Sequence, residues 1–279
     1  MLKKLTLHNF KNFLDATLSL GSFTILLGAN ASGKSNIRDA FRFLHGISRG
    51  YTLAEIIGEK YIEGGVLQWR GIRGGTLEAT FQKAPTFDLS IDFDIVEEDQ
   101  SVDARYQLEV EPGISPSTKP RVVRESLHIG EEMLYDSHPI AKTLTQDDIQ
   151  HLSVRIPPGG KFRKGQVEKF ISNQPVLTQI EYRLEDRNDR AGKRVRRIVR
   201  ECIATLSSMR FVDLNPDAMR NPSFPGQTIL GDRGENLSSV MQAIVENSNR
   251  KAALTEWIKE LTPMDAAGFE FPTDQTGRI

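Results

Sequence analysis

A loop with the residue types and spacing of a phosphate-binding site lies near the start of the chain. Gly28 is followed by four residues and then by Gly33, Lys34 and Ser35. Glycines at these positions allow backbone conformations and close approach that a Cβ would hinder. The backbone N–H groups of such a loop attract an anion, the lysine contacts the β- and γ-phosphates, and the serine hydroxyl binds Mg²⁺. The loop therefore predicts binding of ATP and Mg²⁺.

The elements on either side of the loop decide between this interpretation and a chance match in a glycine-rich turn. Residues 23–27 form a short apolar run, which predicts a buried parallel strand. After the loop, apolar residues recur from Ile37 to Leu44 at the spacing of one helix face, which predicts a helix over 34–45. The order strand, loop, helix is the context that the motif requires.

Composition excludes several classes of protein. The chain has 279 residues and a formal net charge of −1, so binding to nucleic acid or anionic lipid would need a local patch. No apolar run approaches the roughly 18 residues of a membrane span, and the first residues lack a signal peptide. We therefore expect a cytoplasmic protein with no membrane partner. The single cysteine, Cys202, excludes an intrachain disulfide, and its place in an apolar helical stripe predicts a buried packing role.

The remaining elements follow from hydrophobic periodicity and turn residues. Strands are predicted over 2–13, 15–20, 77–81, 209–216 and 269–272. Antiparallel hairpins are predicted over 76–130, where apolar residues alternate. Helices are predicted over 52–62, 191–208, 235–248 and 250–261, and loops over 64–75 and 150–170. Three segments result: an N-terminal part of the core (1–75), a β-rich section (76–170) and a helical section returning toward the core (171–279).

The first 50 residues resemble the SMC/RecF-like branch of the ABC-type AAA family ATPases. The resemblance is carried by "LTLHNFKNF" at 5–13, by the phosphate loop and by Asn36 in "GKSN". Residues 210–244 look like uncharacterised bacterial predicted ATPases of the same branch. The resemblance implies an α/β fold, with a P-loop NTPase core of the ABC/SMC-head type and an antiparallel β subdomain.

In that family the basic residue after "NF" approaches the nucleotide phosphates, and here it is Lys11, which keeps the charge of the commoner arginine but not its planar fork. Motif and resemblance together predict an ATP site, with Ser35 as the Mg²⁺ ligand. Its residues are Lys11, Gly28, Ala29, Asn30, Ala31, Ser32, Gly33, Lys34, Ser35 and Asn36.

The family's catalytic elements are harder to place. A signature loop and an apolar strand ending in Asp-Glu are required for hydrolysis. The stretches "NLSSV" (236–240), "FDIVEED" (93–99) and "RFVDLNPD" (210–217) each depart from those patterns. The Mg²⁺-sensing glutamine has three candidates, for each of which a surface amide is favoured: Gln68, Gln82 and Gln179. The catalytic residues stay unassigned, and we expect the chain to be an N-terminal portion of an ATPase head, incomplete at its C-terminus.

A basic run over 187–200 carries seven arginines and lysines with few opposing acids. It predicts either a contact to the phosphates of DNA or RNA, or a solvated helix face that pairs with acids elsewhere.

The leading function is an ATP-driven switch in which two heads dimerise around the nucleotide, in DNA maintenance or anti-phage defence, with an effector protein as a further possible partner. The alternative is a nucleotide-binding regulatory or interaction module without turnover. A third reading, a phosphate-loop kinase, requires an acceptor pocket that the sequence does not reveal.

Overall fold

The computed structural model describes residues 1–113, 118–137, 149–156, 166–185, 189–262 and 268–279. Two compact units result, residues 1–209 and 210–279. The three segments expected from the sequence stay a prediction, although the first unit takes strands from both of the first two.

The first unit is built on a sheet in which every neighbouring pair of strands is antiparallel. The described strands are β1 (Leu2–Phe10), β2 (Phe13–Ser19), β3 (Glu59–Ile62), β4 (Val66–Arg70), β5 (Phe87–Glu97), β6 (Gln100–Glu111), β7 (Arg121–Ile129), β8 (Glu132–Ser137), β9 (His151–Ile156) and β10 (Gln166–Ile171). In the described residues the sheet has eight strands in the order β10-β9-β8-β7-β6-β5-β1-β2, and β3 and β4 form a separate hairpin.

Helices cover one face of this sheet because alternate strand residues there are apolar. In β5, the residues from Phe87 to Ile95 alternate between buried apolar and half-buried polar side chains. Against this face pack helices α1 (Lys34–Ser48), α2 (Leu53–Ile57), α3 (Val176–Arg183) and α4 (Arg190–Ser207). Cys202 of α4 is fully buried, and burial raises the pKa of its thiol to about 12, so its predicted packing role is confirmed.

The second unit contains α5 (Pro216–Met219), α6 (Leu237–Val245) and α7 (Ser248–Leu261). Its irregular segment around residue 230 is held by the buried Asn236. The Asn236 Oδ1 accepts from the N–H of Gly231 at 2.7 Å, and its Nδ2 donates to the carbonyl of Ile229 at 2.9 Å. Among the residues that the structure describes, no helix is both long and apolar enough to cross a membrane.

The mixed α/β fold with a large antiparallel section is confirmed, as are the helices expected at 34–45, 191–208, 235–248 and 250–261. The strand expected at 23–27 is wrong. These residues are irregular, and the exposed fractions of Phe23 and Leu27 are 81% and 89%. A strand needs a hydrogen-bonded neighbour, and no strand among the described residues pairs with this segment.

Six other expectations need correction. The helix expected at 52–62 ends at Ile57, and the loop expected at 64–75 contains β4, because Gly64 and Gly65 close a hairpin with positive φ. Residues 77–81 run from the end of one 3₁₀ turn (Gly75–Glu78) to the start of the next (Phe81–Lys83). The loop expected at 150–170 includes β9 and β10, and its middle lies outside the described residues. Residues 209–216 and 269–272 form no strand.

Candidate functional site

The phosphate loop leads directly into α1. Gly33 is the residue before the helix and has φ 96°, in the left-handed region that glycine adopts readily. A Cβ at Gly33 would lie 2.7 Å from the ring of Phe13 and 2.9 Å from the Asn12 side chain, both of which follow β1. Conformation and close approach therefore both require glycine here.

Lys34 lies over its own loop. Its Nζ donates to the carbonyls of Gly28 and Ala29 at 2.6 and 2.7 Å and to the Ser32 Oγ at 3.3 Å. A Cβ at Gly28 would lie 2.7 Å from that same Oγ. The loop thus closes around the lysine ammonium and fixes a positive charge at the start of α1.

An open pocket of about 350 Å³ lies at this helix terminus. Its volume is at the lower end of the range for small-molecule sites. The first N–H groups of a helix have no partner inside the helix, and the helix dipole is positive at that end, so the pocket favours an anion. Its walls are formed by Asn12, Asn30, Ala31, Ser32, Gly33, Lys34, Ser35, Asn36 and Arg73.

Seven of the ten residues predicted for the nucleotide, Asn30 to Asn36, therefore line one pocket. The other two loop residues, Gly28 and Ala29, accept hydrogen bonds from the Lys34 ammonium through their carbonyls. Lys11 is not among the lining residues. Its buried Nζ lies 3.0 Å from Oδ2 of Asp39 and also donates to the carbonyl of Arg73. Its predicted contact with the phosphates stays a prediction that this arrangement does not favour.

Sequence reasoning missed two residues of the pocket, Asn12 and Arg73. The Arg73 Nη2 donates to the Asn36 Oδ1 at 2.8 Å, and the Asn36 Nδ2 donates to the Asn12 Oδ1 at 2.7 Å. These bonds join three separate stretches of chain at the mouth of the pocket. Glycines on both sides of "IR" at 71–75 were the one available signal for Arg73, since they permit a tightly placed loop.

The β3–β4 hairpin determines where Arg73 emerges. Trp69 at its end packs in an edge contact with Tyr51, with ring centroids 5.4 Å apart, and donates to the carbonyl of Ile56 at 3.4 Å. A Cβ at Gly71 would lie only 1.6 Å from the carbonyl oxygen of Gly58, so two backbone segments touch there. The buried Ile72 then fixes the chain just before Arg73.

The glutamines proposed for Mg²⁺ sensing lie apart from this pocket's walls. Gln179 is fully buried, accepts from the N–H of Ile171 at 3.0 Å and donates to the carbonyls of Ile171 and Gln174, which fastens α3 to β10. Gln82 lies in a 3₁₀ turn with φ 47°, and Gln68 lies on the exposed β4.

Four arginines of the basic run contact acids or carbonyls: Arg194, Arg196, Arg197 and Arg200. Arg194 contacts Glu97 and Glu132, which raise the pKa of its guanidinium, and Arg197 lies 3.5 Å from Glu97. Arg200 pairs with Glu181 at 2.6 Å. Arg187 lies outside the described residues. This arrangement favours the ion-paired helix face over a nucleic-acid contact.

The weak candidates for catalytic acids, Glu97 and Glu98, do not line the pocket. Glu97 and Glu98 lie where β5 turns into β6, an antiparallel hairpin whose central residues Glu98 and Asp99 have positive φ. Ser239 of "NLSSV" is fully buried and accepts from the N–H of Gln227. Within the described residues the pocket is lined by no carboxylate, and no group of three or more His, Cys, Asp or Glu is placed to hold a metal ion.

Two comparisons with known proteins agree with this geometry. Residues 23–150 match the family model described as "AAA domain, putative AbiEii toxin, Type IV TA system". A stretch of 44 residues is 48% identical to the DNA replication and repair protein RecF of Pediococcus pentosaceus. That stretch is 15% of this chain and 12% of the relative, so the match spans a small part of the relative's length.

Proposed function

We propose that this chain is an ATP-binding head. The two matches support an SMC/RecF-like AAA ATPase family, as the N-terminal motifs of the chain predict. One observation carries the proposal: a single pocket joins a helix N-terminus, the Lys34 ammonium and the Arg73 guanidinium. Three sources of positive potential around one small space suit a polyphosphate. The neighbouring amides of Asn12, Asn30 and Asn36 add hydrogen-bond donors without negative charge.

Magnesium is part of the proposal. Ser35 lines the pocket. A serine hydroxyl fits Mg²⁺, which is bound through few protein oxygens and keeps several waters beside the substrate phosphates. Ser35 would hold the ion, which would neutralise phosphate charge. Lys34 and Arg73, which both line the pocket, would orient the phosphates.

Nucleotide-driven dimerisation is the proposed switch. ATP favours a closed pair of heads only if it contacts both of them there, so the differential affinity drives the association. The exposed apolar run at 23–27 supports a head that pairs with further polypeptide, because contiguous exposed apolar surface marks interaction sites. The alternative, a binding module without turnover, shares the pocket but does not require the dimer.

Light scattering on the purified chain separates the two. If the switch operates, the mass with Mg²⁺ and a non-hydrolysable ATP analogue should be near that of a dimer. With ADP, the mass should be that of a monomer. Lys34→Ala should abolish the difference. The same mass with both nucleotides, in a chain that binds both, would favour the module.

The pathway is proposed more broadly. The RecF relative is named for DNA replication and repair and the matching family for a toxin system, which supports DNA maintenance or anti-phage defence. DNA binding through 187–200, an effector partner and a cytoplasmic location stay predictions of the sequence. The ion pairs of Arg194 and Arg200 do not favour the first of these.

A further inference from the structure

We infer that Lys11 and Asp39 are positioning residues that hold Arg73 against the phosphate pocket. The inference rests on the proposed nucleotide site and assigns roles to two residues that do not line it. It concerns how the guanidinium of Arg73, whose side chain is 57% exposed, keeps one place at the mouth of the pocket.

The first observation is a buried ion pair in contact with Arg73, a residue of the pocket wall. The side chains of Lys11 and Asp39 are only 5% and 7% exposed, and the Lys11 Nζ lies 3.0 Å from Oδ2 of Asp39. Charged groups are almost never this buried unless they are paired. The pair therefore has a fixed geometry and can hold a more exposed side chain in one position.

The second observation is that this pair contacts Arg73 at two points. The Arg73 Nε donates to the same Asp39 Oδ2 at 3.0 Å, while the Lys11 Nζ donates to the main-chain carbonyl of Arg73. Backbone and side chain of one arginine are thus held by one buried pair. The remaining Nη2 donates to Asn36, a residue of the pocket wall.

Charge explains why a lysine completes the arrangement. Asp39 alone would cancel the charge of Arg73 and turn it into a neutral pair. With Lys11 present, two cations share one carboxylate, so the group keeps a net charge of one positive unit beside the pocket. Asp39 therefore orients Arg73 without removing its attraction for phosphate.

A purely structural ion pair is the competing explanation, and matched variants separate the two. Lys11→Met with Asp39→Asn removes one positive and one negative charge, so it leaves neither an unpaired buried charge nor a change in net charge. Any loss of affinity in this double variant then reflects the position of Arg73. Arg73→Gln, alone and combined with the double variant, completes the cycle.

Calorimetric titration with Mg²⁺ and a non-hydrolysable ATP analogue is the test, with thermal unfolding to verify that each variant is folded. We expect the double variant and Arg73→Gln each to bind about five- to tenfold more weakly than the wild type. The triple variant should bind no more weakly than Arg73→Gln alone. Lys119→Ala, at an exposed position outside the pocket walls, should stay within about twofold of the wild type.

Additive losses in the triple variant, or unchanged affinity in the double variant, would overturn the inference while Lys34→Ala still bound more weakly than the wild type. If the wild type and Lys34→Ala gave the same heats, the proposed nucleotide site would fail, and the positioning role would fail with it. The Lys34→Ala control therefore distinguishes the two failures.

Discussion

Arg194 donates from Nε and Nη2 to the two carboxylate oxygens of Glu97, at 2.7 and 3.2 Å, and so joins α4 to the end of β5. This is the forked geometry in which arginine–carboxylate pairs are strongest. Glu132 adds two contacts to Nη1 of the same guanidinium, at 2.9 and 3.0 Å. The basic run, which in the sequence alone suggests nucleic-acid binding, thus connects a helix to the sheet in the structure.

Replacing Arg194 should therefore lower the free energy of unfolding, and it should have little effect on DNA binding. Arg194→Ala leaves Glu97, whose side chain is only 12% exposed, without its closest partner, and we expect a loss of about 1–3 kcal/mol in the free energy of unfolding. Lys193→Ala, at an exposed position of the same helix, is the matched control and should change stability by less than about 0.5 kcal/mol. Urea unfolding measures both. Equal, small effects would contradict the structural role.

Glu125 of β7 is a buried carboxyl group at the N-terminus of α3. One carboxylate oxygen accepts from the hydroxyls of Tyr106 and Tyr135 and from the N–H of Leu177, and the other accepts from the N–H of Val176 at 2.6 Å. Complete burial nevertheless raises the pKa of this carboxyl from 4.5 to about 7, since these hydrogen bonds offset only part of the desolvation.

The sign of the pH dependence follows. Between pH 4.5 and about 7 the folded chain holds a proton on Glu125 that the unfolded chain has lost, so this group makes stability fall as pH rises through that window. We expect a contribution of about 1–3 kcal/mol. Thermal unfolding across pH 4.5 to 7.5 should show a shallower decline in Glu125→Gln than in the wild type. The surface variant Glu185→Gln should keep the wild-type slope, and a parallel slope in Glu125→Gln would refute the assignment.

Hydrolysis by this chain alone is expected to be slow or absent. Phosphoryl transfer to water needs an aligned nucleophile and charge stabilisation beyond the phosphate loop, and the described walls of the pocket include no carboxylate to position a water. A phosphate-release assay with saturating Mg-ATP measures it. Turnover that rises more than linearly with protein concentration would indicate catalysis completed by a dimer. Robust turnover at low concentration, lost in Lys34→Ala, would contradict this expectation, and Glu97→Gln and Glu98→Gln would then be the first variants to examine.

The parts of the fold that sequence predicted are those with strong local signals. The helix after the phosphate loop and the helix bearing Cys202 have long runs of apolar residues at helical spacing, and β5 has a long alternation. Residues 23–27 were misassigned because an apolar run states only that a segment prefers burial. Whether it becomes a strand depends on a hydrogen-bonded neighbour, which local sequence does not contain.

The residues of the site likewise divide into those that local sequence predicts and those that depend on tertiary contacts. The loop from Asn30 to Asn36 is contiguous, so the spacing of the motif, with the resemblance for Asn36, predicted it. Arg73 reaches the pocket through the β3–β4 hairpin and the contact of Gly71 with Gly58, which are tertiary features. The family resemblance assigns Lys11 to the phosphates, but the buried carboxylate of Asp39 competes for its ammonium.

The account depends above all on whether the loop at the start of α1 binds nucleotide phosphates, and calorimetric titration with Mg²⁺ and a non-hydrolysable ATP analogue measures this. Lys34→Ala should weaken binding by about 10- to 100-fold, because it removes a charged hydrogen-bond donor from the pocket, while its thermal unfolding stays close to that of the wild type. Lys119→Ala, at an exposed position outside the pocket walls, removes the same charge and should bind like the wild type. Equal affinity in the wild type and Lys34→Ala would contradict the account.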